Sequence, residues 1–188
     1  MTDVMLVWDS PILFEKLFTE HGLACMRVDG AALGTPFLPA SRCLVLPTGF
    51  ANTAYSKIHR SIGNKGKKLV NFVEKGGTLV IFGPLVQSYS FNWLPFELEY
   101  FEEHEQLPLH QVNQGDISCI IEDLSEPVEC DGYFSKADAI VILENERNQP
   151  VMVKKEIGKG LVVASTIHEF PSGDFMKCVV EKGIPSKL

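Results

Sequence analysis

The chain has 188 residues, enough for one hydrophobic core and short of the length at which cores divide. Its 45% apolar and 22% charged composition is that of a folded globular protein and excludes a disordered or collagen-like chain. A net charge of −7, without a recognisable binding module, argues against nucleic acid as a partner, and no apolar run approaches the roughly 18 residues of a bilayer span.

Val4–Trp8 is a continuous apolar run, read as a buried strand ending at Asp9. Ser10 then offers an N-cap oxygen and Pro11 a pre-set φ for a helix whose stripe is Ile12, Leu13, Leu17 and Phe18, stopped at Gly22. Cys25–Asp29 reads as a second strand, and Cys43–Pro47 as a third, closed by Thr48-Gly49. A second helix is expected from about Ser61 to Lys75, with Leu69, Phe72 and Val73 inward and Gly76 or Gly77 as its C-cap. Thr78–Phe82 is the fourth strand, ending at Gly83-Pro84. Strand–helix alternation with continuous apolar strands predicts an α/β fold with a parallel sheet covered by helices on both faces.

After Pro84 the helical stripe disappears. Phe96–Phe101, Ile117–Ile121 and Ala139–Leu143 read as short strands, followed by a Gln149-Pro150 turn and the strand Val151–Val153. Gly158-Lys159-Gly160 joins that strand to Leu161–Ile167, and Ser172 to Val180 reads as a last helix, ended by Gly183 and Pro185. One domain over residues 1–188 is predicted, with a β-rich excursion over about 85–149 and a β-rich C-terminal half.

Five widely spaced cysteines, Cys25, Cys43, Cys119, Cys130 and Cys178, are odd in number and lack a Cys-x-x-Cys pair, which disfavours a disulfide framework or a thiolate metal site. Met1-Thr2-Asp3-Val4 carries no basic stretch before the apolar run and no small-residue cleavage site. Cytoplasmic residence is expected, with no metal, no cofactor and no membrane. Charge is segregated. Gly30 to Val73 holds six basic residues and no acid, whereas Glu97 to Arg147 holds fourteen acids and two basic residues. Solvated faces are the plain reading; self-association between unlike faces as a homo-oligomer is the alternative.

Two motifs carry a resemblance: Gly76-Gly77 leading into the Thr78–Phe82 strand, and Gly158-Lys159-Gly160 followed by an apolar strand and His168. Together they resemble the class I glutamine amidotransferase-like superfamily. The resemblance implies a flavodoxin-like three-layer sheet, and a nucleophilic cysteine on a sharp elbow where backbone donors hold an oxyanion. Here that position falls at about Gly83, between Phe82 and Pro84. His168 matches the family's general base. Phe170 stands where the family has the glutamate that orients it, and Glu169 where it usually has proline. The pattern is closer to non-amidotransferase branches, such as trehalose-utilisation-type proteins and the modules attached to some glycosidases. A pseudoenzyme acting as a binding or assembly module is expected; the alternative is a hydrolase-type enzyme using His168 as base.

Other constellations are weaker. Gly63-Asn64-Lys65-Gly66-Lys67-Lys68 lacks the first glycine and the hydroxyl of a phosphate loop. Glu102-Glu103-His104-Glu105 and His110 read as solvated strand residues. In open parallel sheets ligands bind beyond the carboxyl ends of strands. The candidate ligand-binding residues are therefore Asp9, Thr48, Gly49, Gly83, His168 and Glu169, for a small polar or anionic ligand, although Ser10 and Asp9 also suit helix capping.

Overall fold

A computed structural model of the chain describes every residue except Gln114, Asp116, Ser125 and Glu169. In chain order the elements are β1 (Thr2–Val7), α1 (Leu13–Glu20), β2 (Cys25–Val28), β3 (Ser41–Leu46), α2 (Ile58–Glu74), β4 (Thr78–Ile81), β5 (Ser88–Ser90) and β6 (Leu98–Leu107). There follow β7 (Leu109–Gln111), β8 (Val128–Ala137), β9 (Ile140–Asn145), β10 (Pro150–Ile157), β11 (Gly160–Ser165) and α3 (Gly173–Lys182). Eight strands form one sheet in the order β2-β1-β3-β4-β11-β10-β9-β7, and β5-β6-β8 form a second. The segment β2-β1-β3-β4-β11 is parallel, and β11-β10-β9-β7 is antiparallel.

Because side chains alternate along a strand, the large sheet feeds two cores. Val4, Leu6, Cys43, Val45, Val80 and Val163 face α1 and α3, where Phe14, Phe18, Phe175 and Val179 meet them. Met5, Val7, Leu44, Leu46, Leu79, Ile81 and Val162 face α2, which presents Ile58, Ile62, Leu69, Phe72 and Val73. Leu98, Tyr100 and Phe134 of the small sheet join this second core, beside Phe50 and Phe91. The excursion is therefore packed onto the same apolar layer as the parallel strands.

The expected flavodoxin-like parallel sheet is not the fold. Only 22% of residues are helical against 37% in strands, the large sheet is mixed, and three of the four strands between β4 and β9 form a separate antiparallel sheet. Without a helical stripe after Pro84 there is nothing to build further crossover helices, and hairpins replace them. Ile117–Ile121 is not a strand: Ser118–Ile120 is a 3-10 turn, anchored by the Ser118 hydroxyl on the Gly115 carbonyl. Nor does Ser10 cap α1. The helix begins at Leu13 with Ile12 at the N-cap position and no side-chain bond there. α2 begins at Ile58 because Ser56 Oγ accepts the Ile58 N–H at 3.1 Å and Asp9 Oδ2 accepts that of Lys57 at 2.8 Å. It ends on Gly76, whose φ of +116° lets the Gly76 and Gly77 amides reach the Val73 and Phe72 carbonyls.

Candidate functional site

Past Ser165 the chain leaves the large sheet and pairs with β8. An antiparallel bridge joins Cys130 to Ile167, with Asp131 N–H donating to the Thr166 carbonyl at 2.8 Å and His168 N–H to the Glu129 carbonyl at 2.9 Å. Asp131 and His168 are thus diagonal cross-strand neighbours, close enough for their side chains to meet. They do: His168 Nδ1 lies 2.6 Å from Asp131 Oδ1. A second imidazole converges on the same oxygen, with His104 Nδ1 at 3.6 Å and its Nε2 3.5 Å from Glu102 Oε1. A β-bulge between Glu102 and Glu105 turns His104 toward Asp131.

Burial divides the group. The Asp131 side chain is 0% exposed, while His168 is 47% and His104 57% exposed. Burial raises the Asp131 carboxyl above its usual range, the His168 and His104 imidazoles pull it down, and burial prevails. Among the described residues Asp131 Oδ2 has no hydrogen-bond partner, and it lies against Gly83, where a Cβ would meet it at 3.0 Å. The space beside Gly83 is therefore filled by the carboxylate of Asp131.

The remaining candidates separate into two groups. Gly49 joins the site: its N–H donates to the Gly83 carbonyl at 2.7 Å, and its φ of +84° with Tyr55 packed against it suits a residue without a side chain. Thr48 is half-buried beside it at the end of β3. Just beyond Gly83, Leu85 holds φ +52°, an uncommon conformation for a bulky residue, with its carbonyl bound by Asn52 Nδ2 at 2.8 Å. Asp9 is engaged at the start of α2 instead, and Glu169 lies outside the described residues. Phe170, at the expected orienter position, packs against Phe14 of α1 in a tilted arrangement with ring centroids 5.4 Å apart. Asp131 supplies the carboxylate for His168 in its place, from a strand that the acidic composition of the segment concealed. The alternation of Val128-Glu129-Cys130-Asp131 was the available signal.

A cleft of about 660 Å³ lies between the 3-10 turn and the start of α3, lined by His21, Ser118, Glu122, Ser172 and Lys177; none of Gly83, Asp131 or His168 lines it. Among the described residues no cluster of three or more His, Cys, Asp or Glu can hold a metal ion, and no helix is long and apolar enough to cross a membrane.

No protein family and no curated protein matches the chain. Solved structures do. A cytoplasmic protein from Salmonella typhimurium superposes with a TM-score of 0.58 at 11% identity over 98% of this chain and 100% of that one. A second from Salmonella typhimurium LT2 gives 0.57 at 13%, over 96% of each chain. The β-galactosidase of Bacillus circulans sp. alkalophilus gives 0.54 at 12% over 96% of this chain, which spans only 30% of that enzyme's length. At such identities the likeness is one of fold alone.

Proposed function

We propose that this chain is a non-catalytic, amidotransferase-like module that acts in the cytoplasm by binding or assembly. The observation that carries the reading is Asp131: its buried carboxylate lies against Gly83, the position that the sequence resemblance aligns with the amidotransferases' nucleophile. A thiol there would be crowded and its ionisation opposed by a neighbouring negative charge. Support for a module comes from the β-galactosidase match, in which a region of this shape is one part of a longer chain. The surroundings of His168 suit a neutral polar ligand better than an anion, because Glu102 and Glu129 flank Asp131.

The test is incubation with glutamine and with a series of nitrophenyl esters and galactosides. No turnover above buffer is expected, for the wild type or for His168→Ala. Turnover lost in His168→Ala would replace this reading with a second one, in which His168 is a general base on water or a substrate hydroxyl. The observation favouring that second reading is the 2.6 Å bond to Asp131, which fixes the imidazole as catalytic dyads do.

A further inference from the structure

We infer that the exposed face of α2 and the outer face of the small sheet are complementary surfaces through which one copy of this chain docks on a second. The contact uses none of Gly83, Asp131 or His168. It goes beyond the reading above and holds whether or not His168 turns over a substrate.

The first surface is on α2. Gly30 to Val73 holds six basic residues and no acid, and the fold itself uses three of the six. Lys65 Nζ donates to the Gly30 and Ala31 carbonyls at 3.1 and 2.6 Å, Lys68 Nζ to the Gly34 carbonyl at 2.7 Å, and Arg42 Nη1 to the Gly183 carbonyl at 2.9 Å. Arg60 and Lys67 are exposed and, among the described residues, form no ion pair. Two helical turns separate them, so they share one face about 10 Å apart. Between them lies Gly63, exposed, where a Cβ would meet nothing within 4 Å. Glycine weakens a helix interior relative to alanine, and no close approach within the monomer requires one here, in contrast to Gly66 beneath Trp93. The face is a bare notch between two unpaired cations.

The small sheet carries the converse. Tyr100 and Phe134 point into the core, so by alternation Phe101 and Tyr133 point outward, directly opposite each other with ring centroids 5.8 Å apart. Phe101 is 41% exposed. On one side of it Glu97 and Glu99 share the single cation Lys136, at 3.4 and 3.2 Å. On the other, Glu103 and Glu105 share Arg147. Each carboxylate pair is one positive charge short, and Glu99 and Glu103 stand about 13 Å apart along β6. A protruding ring between two electron-rich pairs is the counterpart of a notch between two cations. Phe101 of one copy would seat over Gly63 of the other, with Arg60 and Lys67 each reaching one carboxylate pair. Two basic helices, or two acidic sheets, would repel each other, so the charges select the unlike faces while the aromatic pair supplies the apolar centre.

Sedimentation velocity of the full chain at about 50 mM and about 0.5 M salt tests this. Association that grows with protein concentration and weakens at the higher salt is expected. Phe101→Ser and Gly63→Gln should each weaken it about tenfold. Arg60→Glu with Lys67→Glu should leave a monomer, and so should Glu99→Lys with Glu103→Lys. An equal mixture of those two reversed proteins should associate again, because each offers the charge that the other now needs. A wild type that stays monomeric up to about 1 mM, association indifferent to Phe101→Ser and to the α2 reversal, or a mixture of folded reversed proteins that stays monomeric would overturn the inference. Far-ultraviolet circular dichroism identifies the folded variants. The α2 and Phe101 changes, all at exposed positions, serve if the sheet reversal does not fold. Failure here leaves the binding reading around His168 standing, whereas turnover in the assays above removes that reading without touching this one.

Discussion

At the scale of single residues the site turns on Asp131. Its Oδ2 is buried, without a hydrogen-bond partner among the described residues, and 3.0 Å from where a Gly83 Cβ would sit. Gly83→Ala should therefore lower stability by about 1–3 kcal/mol through overpacking. In an Asp131→Ala background most of that loss should vanish, and an additive double-mutant cycle in urea would show that the two positions do not press on each other. Titration gives a second expectation. Because burial raises the Asp131 carboxyl, the folded state binds the proton more tightly than the unfolded chain, so stability falls as pH climbs from about 4 through the raised value. Asp131→Asn has no such charge. The melting temperature of the wild type relative to that variant should decline between acid and neutral pH. A rise would show that the imidazoles outweigh burial.

At the scale of elements, α2 contains a contrast between two glycines. Gly63 faces open space, whereas a Cβ on Gly66 would come within 2.4 Å of Trp93 Cβ. Gly63→Ala should gain about 0.5–1 kcal/mol from helix propensity alone. Gly66→Ala should lose about 1–3 kcal/mol in spite of the same propensity, because Trp93 must move. Equal effects in thermal melts would refute the close packing. The amino-acid pattern gave no hint of Trp93 against α2, since that contact joins a helix to a loop 27 residues later. It did delineate β1, β3, β4 and β11, whose residues 4–7, 43–46, 79–81 and 161–164 are apolar without interruption because both faces are buried. β8 was illegible for the opposite reason: Glu129, Asp131 and Gly132 interrupt its apolar residues, and an acidic stretch resembles solvated loop. His168 was visible as the polar end of an apolar strand. Its carboxylate partner was not, because it lies 37 residues away on that unread strand.

At the scale of the molecule, the small sheet and the parallel strands share one apolar layer, in which Tyr100 and Phe134 belong to the same core as Leu46 and Ile81. Separate unfolding of the excursion would expose that layer. Urea denaturation followed by far-ultraviolet and near-ultraviolet circular dichroism should give coincident midpoints, and two resolved transitions would make the excursion an independent unit. The thiols offer another global check. Cys25 and Cys43 each sit beside Val4 on opposite sides of β1, about 10 Å apart by strand spacing and too far to bridge. Titration of the denatured, unreduced protein should recover five thiols, and recovery of three would reveal a disulfide.

The contact between Asp131 and Gly83 also bears on the order in which this site can change. Gly83→Cys made first would set a thiol against a buried carboxylate, strained and hard to ionise. Replacing Asp131 first would strip His168 of the group that orients it, before any nucleophile existed to profit. Changing Asp131 relieves the crowding at Gly83 but leaves His168 without its carboxylate. The two positions are therefore coupled: a side chain fits at position 83 without strain only if Asp131 changes with it.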